Sequence, residues 1–263
     1  MDKIAKRLDE IRSNGYELDF SGTLSKAIDI HKNMILTAGL ACLVFGIVLT
    51  ILWFGVMVGL SAVIGVLTAF FPGDNGTAFM AMAISTLSMS LAFALASPFV
   101  GGLFMMANKV DRGEEVYFSD AFAGYRPPYF GPLISQSMLI SGVSVCITLV
   151  SQAYFPDLFF IGAAFSSIIS LLTMFVVPLV VFGGLKPLAA ISASPTILFR
   201  KFWLILGLVI VSAFMASVGF VALCIGILFT YPFIFVMNYA IYKQAVGIAN
   251  ENEIDEIGIS DNL

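Results

Sequence analysis

Charge is scarce in this chain, and what there is keeps out of long stretches of it. Lys, Arg, Asp and Glu make up 11% of the residues, against about 25% in soluble domains. Apolar residues make up 59%, and the mean hydropathy is +0.99. That balance excludes a soluble fold. Histidine occurs once, at His31, and cysteine three times, at Cys42, Cys146 and Cys224, with no C-x-x-C or other ligand spacing. The cysteines read as small apolar packers, and so few separated ligands predict no transition-metal site. P-loop, H-E-x-x-H and nucleophile-elbow patterns are also missing. No catalytic, cofactor-binding or metal-ligating residue is assigned, and no cofactor is expected. Apart from Lys243 near the end of the last, the apolar spans contain no Asp, Glu, Lys or Arg. Intramembrane charges are the usual marks of proton relays, ion sites and reaction centres, so their absence argues against an enzyme.

What is present is a set of apolar runs long enough to cross a bilayer, which takes roughly 20 residues per helix. They predict an all-α integral membrane protein with six transmembrane helices, at about 34–58, 79–108, 130–152, 158–185, 202–219 and 224–246. The chain divides into a cytoplasmic amphipathic segment at 1–33, a membrane domain at 34–247 and an acidic tail at 248–263. The run Met34 to Phe71 would be about 57 Å long as one helix. It is therefore read as one span plus an outer half-helix near Gly55 to Phe71. All 13 Lys and Arg residues fall in the segments that this arrangement places on one side. The opposite connections, Pro72 to Ala78, Gln152 to Asp157 and Val218 to Leu223, have none. The positive-inside rule then puts both termini in the cytoplasm, and Asp74 and Asp157 outside, in a bacterial inner membrane. The first apolar run follows a long polar stretch and offers no credible cleavage site, so no signal peptide is predicted.

Charge also bounds the partners. The net charge is −4, and Glu251, Glu253, Asp255, Glu256 and Asp261 cluster near the C-terminus. No nucleic-acid partner is expected. At the N-terminus Ile4, Leu8 and Ile11 share one face among Lys3, Lys6, Arg7 and Arg12, a pattern suited to the membrane surface. Ser13-Asn14-Gly15 breaks it, and Thr23 is a candidate cap for a second short helix from Leu24 to Asn33.

The six spans group as three hairpins, each preceded by a short cytoplasmic interfacial helix ending in a basic residue. These are Ser25 to Lys32, Ser119 to Arg126 and Ala193 to Arg200. The returning helix of each hairpin carries a proline, Pro98, Pro178 or Pro232, and then a lysine, Lys109, Lys186 or Lys243. The prolines are candidate helix kinks, as static bends or as hinges. An even number of crossings per unit makes the copies parallel.

The polar helix Asp19 to Asn33, the aromatic restart Phe199-Arg200-Lys201-Phe202-Trp203 and the closing stretch Cys224 to Lys243 carry a resemblance. The chain resembles an uncharacterised bacterial membrane family that includes the membrane domain of some glycerophosphoryl diester phosphodiesterases. The resemblance implies a polytopic architecture and no activity, since the phosphodiesterase domain itself is lacking.

Two sets of residues carry functional expectations. Ser85, Thr86, Ser88, Ser90, Ser135, Gln136, Ser137, Ser141, Ser144, Thr148, Ser166, Ser167, Ser170 and Thr173 either line a polar pathway or let helices pack closely. The cytoplasmic elbows are the stronger lead. Leu188, Ile191, Pro195, Leu198, Phe199 and Phe202 follow helical spacing between Lys186 and the pair Arg200 and Lys201, as in a helix lying on anionic headgroups. Ordinary positive-inside anchoring explains the same cations. Lys32, Arg126, Lys186, Arg200 and Lys201 are the candidate lipid-headgroup contacts. The expected function is a non-enzymatic membrane scaffold or accessory protein binding anionic lipid or a membrane-protein partner; the alternative is a permease or exporter for an uncharged or lipidic substrate.

Overall fold

The computed structural model describes residues 2–70, 75–154, 159–221 and 226–248. Every regular element among them is helical: α1 (Asp2–Asn14), α2 (Phe20–Phe70), α3 (Asn75–Asp111), a 3-10 segment (Phe118–Tyr125), α4 (Phe130–Tyr154), α5 (Phe159–Leu172), α6 (Val176–Val181), α7 (Pro187–Arg200), α8 (Phe202–Ser217), α9 (Gly226–Thr230) and α10 (Phe233–Ala245). Five stretches are long and apolar enough to cross a membrane: Phe20–Phe70, Met80–Asp111, Phe130–Gln152, Gly162–Val181 and Phe202–Phe220. The sixth expected span is divided into α9 and α10 by a turn at Tyr231 and Pro232.

The helix starts and stops have local causes. Gly15, at φ +75°, ends α1, and its N–H donates to the Ile11 carbonyl. Asp19 caps α2: its carboxylate accepts from the Ser21 N–H at 3.1 Å and the Gly22 N–H at 2.9 Å. The cap is thus Asp19, and Thr23 lies inside the helix. No break follows Asn33 either. α2 is one helix of 51 residues, about 77 Å long, and the expected half-helix near Gly55 to Phe70 is its continuation. The reason is the lack of any proline or polar turn between Ser21 and Phe70; scattered glycines alone do not stop a helix. The first copy of the proposed repeat therefore has no separate interfacial helix. The second copy is the 3-10 segment, and only the third, α7, is an α-helix distinct from the span that follows.

The prolines also differ from one another. α3 runs unbroken through Pro98. Pro178 lies in the first turn of α6, and Pro232 immediately precedes α10, so both mark helix starts, where a missing N–H costs no intrahelical bond.

The molecule is packed tightly at one end and apolar on its surface elsewhere. The end of the bundle that carries the basic residues gathers Ile11, Tyr16, Met34, Met106, Ile197, Tyr239 and Tyr242 in a single buried core. α1 belongs to it. Ile4 and Ile11 are buried and Leu8 is partly so, with α1 packed on α7. The apolar face expected at the membrane surface is thus covered by protein. Arg7 Nη2 donates to the Ala245 carbonyl at 3.1 Å, closing the C-terminal end of α10. Toward the other end, Ile51, Leu52, Phe54, Phe70, Leu87, Phe93, Tyr154 and Phe214 are exposed. So much uncovered apolar surface on helices that satisfy their own backbone groups is the surface a bilayer accepts. Cys42 is buried as expected of a packer, but Cys146 is exposed on α4. Asp74, Asp157, Cys224 and the acidic tail from Ala249 onward lie outside the described residues.

Candidate functional site at the basic end

Asp111, the last residue of α3, lies beyond the charge-free stretch of its helix and is only 2% exposed at its side chain. Two cations and a phenol converge on it. Lys26 of α2 reaches Oδ1 at 2.5 Å, while Lys243 of α10 reaches Oδ2 at 2.8 Å. The Tyr239 hydroxyl lies 2.9 Å from Oδ2 and 3.0 Å from the Asn108 side-chain oxygen. The hydrogen bonds from Lys243, Lys26 and Tyr239 offset the cost of burying the carboxylate. Three helices distant in the chain are thereby tied at one atom group.

A second ion pair positions the 3-10 segment. Lys109 Nζ lies 2.9 Å from Asp120 Oδ1, and Asp120 Oδ2 accepts from the Tyr117 N–H at 2.9 Å. Gly102 and Gly124 make the close approach possible, since a Cβ at either would collide with backbone, the Ala121 carbonyl or the Pro98 carbonyl. Tyr125 then donates to the Leu95 carbonyl at 2.7 Å, one residue from the carbonyl at Ala94 that Pro98 leaves without its helical donor. A row of rings, Phe45, Phe99, Phe122, Tyr125 and Phe130, runs from α2 to α4 over this contact.

Between the 3-10 segment, the start of α4 and the end of α6 there is a cavity of about 690 Å³. Lys109, Arg112, Asn108 and Asp120 form its polar wall, and Met105, Ala123, Pro132, Val180 and Val181 its apolar wall. None of these residues was among the expected headgroup contacts.

Those contacts are placed as follows. Lys32 is exposed and pairs with Asp29 at 3.6 Å, and Arg126 is exposed after the 3-10 segment. Lys186 caps α7, Arg200 ends it, and Lys201 separates it from α8. Among the described residues no ion pair engages Arg126, Lys186, Arg200 or Lys201. The stripe on α7 is narrower than its spacing suggests. Leu198 is fully buried and Ile191, Pro195 and Phe202 are partly so, while Leu188, Phe199 and Trp203 are 70%, 63% and 80% exposed. Phe199, Phe202 and Trp203 pack ring on ring at the α7–α8 corner.

Most of the small polar residues of the spans bond within their own helices. Ser85, Thr86, Ser88, Ser135, Ser141, Ser144, Ser167 and Thr173 donate to carbonyls three or four residues back in their own helices. Gln136 crosses to Ser97 at 3.2 Å, tying α4 to α3. Gly55 and Gly59, four residues apart on α2, face open space among the described residues. Where the helix breaks between α5 and α6, neighbours satisfy the backbone: Ser194 donates to the Leu172 carbonyl at 2.6 Å and accepts from the Phe175 N–H, and Asn238 donates to the Met174 carbonyl. His31 is buried edge-on to Phe233, with ring centroids 5.3 Å apart. Among the described residues no three His, Cys, Asp or Glu side chains converge in a way that could hold a metal.

These features define an all-α protein whose helices fit a multi-pass membrane protein, with a cross-linked polar base. Comparison with protein-family models, curated proteins and solved structures finds no match.

Proposed function

We propose that the protein is a six-span membrane protein of a bacterial inner membrane, its basic end facing the cytoplasm, acting as a non-enzymatic scaffold or accessory protein on anionic lipid. The sixth crossing in this reading is α9 and α10 together. The resemblance to the membrane domain of glycerophosphoryl diester phosphodiesterases enters only as part of this proposal. One observation carries it: Leu188, Phe199 and Trp203 are exposed at the α7–α8 corner between the cations Lys186, Arg200 and Lys201. An amphipathic helix in the interface presents this combination, apolar groups for the acyl boundary and cations for the headgroups. Each cation near an anionic surface contributes about 1 kcal/mol. The permease alternative draws less support, because eight of the span hydroxyls already donate within their own helices.

The test replaces Lys186, Arg200 and Lys201 together with Gln in the full chain. Native mass spectrometry at low ionic strength should show weaker retention of anionic lipid, while the spans stay inserted because the other basic residues keep the orientation. Unchanged retention would reduce the three cations to topology signals.

A further inference from the structure

We infer that the cavity beside the 3-10 segment is a binding site for a phosphate-bearing amphiphile, an anionic membrane lipid whose phosphate lies on Lys109 and Arg112 and whose tail lies on the apolar wall. The volume of about 690 Å³ is within the range of about 300–1,000 Å³ typical of small-molecule sites. Its cations Lys109 and Arg112 come from the end of α3, while Pro132, Val180 and Val181 come from α4 and α6. That division suits a molecule with one charged end.

The charge balance favours an anion. Among the described residues Asp120 is the one acidic residue of the lining, and both its oxygens are occupied, by Lys109 Nζ and by the Tyr117 N–H. Lys109 uses one of its three N–H donors on Asp120 and is held in position by doing so. Arg112 reaches Glu114 through Nη2 at 3.1 Å, which leaves further guanidinium donors. Lys109 and Arg112 are three residues apart, and the Arg112 N–H still bonds to the Asn108 carbonyl, so the helical turn places them on one face. A phosphate between an ammonium and a guanidinium gains charge-assisted hydrogen bonds from both. The site is distinct from the α7–α8 corner: neither Arg200 nor Lys201 lines it.

The experiment uses the full chain in detergent, with phosphatidylglycerol, diacylglycerol and inorganic phosphate as separate probes. Native mass spectrometry should show phosphatidylglycerol retained and diacylglycerol lost. Arg112→Gln should lower retention about tenfold, the loss of one charge-assisted contact, whereas Arg12→Gln, at an exposed position on α1, should leave it unchanged. Ala123→Phe, which fills the cavity, should lower retention at least as far as Arg112→Gln does, even with Arg112 present. An Arg200→Gln/Lys201→Gln variant run in parallel perturbs only the corner, so its outcome bears on that surface and not on the cavity. Equal retention of diacylglycerol, equal effects of Arg112→Gln and Arg12→Gln, or full displacement of the lipid by inorganic phosphate would each overturn the assignment. Arg112 is partly exposed at a helix end, so folding of its Gln variant is expected, and a melting curve for each variant checks it.

Discussion

Replacing Asp111 with Asn tests whether the base is held by a charge or merely by packing. The substitution keeps shape and an acceptor oxygen but removes the negative charge that Lys26 and Lys243 share. Removing one partner of a buried pair costs about 3–5 kcal/mol. Lys26 is 49% exposed and regains water, while Lys243 is 23% exposed and regains less. The expected loss is therefore at the low end, about 3 kcal/mol. Lys26→Gln alone should cost about 1 kcal/mol or less, because a half-exposed cation is screened by solvent. Equilibrium unfolding in detergent, followed by helical signal, reads both. A loss for Asp111→Asn no larger than that for Lys26→Gln would refute the reasoning.

Gly124→Ala places a methyl group against the Pro98 carbonyl and should cost about 1–3 kcal/mol by forcing the 3-10 segment off α3, read by thermal unfolding. Ser194→Ala leaves the Leu172 carbonyl and Phe175 N–H without their partner; a loss of about 1–3 kcal/mol is expected, and full stability of the variant would show that another group takes over. Cysteines placed singly at positions 32, 126 and 200, in a chain lacking Cys42, Cys146 and Cys224, should react only from the cytoplasmic side. Labelling of position 126 from outside would sink the orientation.

The helical spans were legible because apolar runs of membrane length have few other uses, and α3, α4 and α8 lie close to where their hydropathy puts them. The continuity of α2 was harder to see. A change from polar to apolar residues at Asn33 looks like a boundary, yet the backbone responds to breakers, and there are none. Pro178 and Pro232 looked like Pro98 in sequence; only the structure shows helix starts at the first two. Asp111 was missed for a related reason. At the end of a span an acidic residue resembles any loop carboxylate, and its partner Lys243 lies 132 residues away. The cavity was invisible for the same reason, being assembled from α3, the 3-10 segment, α4 and α6. A neighbouring pair of cations, Lys109 and Arg112, was its one local trace.

The docking of α1 joins an earlier-made part of the chain to later-made ones. Arg7 meets Ala245 across 238 residues, Thr23 meets Gln244 across 221, and Tyr16 meets Ile197 across 181. At ribosomal speeds of about 5–20 residues per second, the partner of Arg7 emerges roughly 12–48 s after it. Until α7 is made, the face formed by Ile4, Leu8 and Ile11 lacks the helix it packs on. A short helix with such a face and a basic flank adsorbs to a bilayer. The stripe that ends as core thus suits a waiting position on the lipid surface, and loss of α7 would strand α1 there.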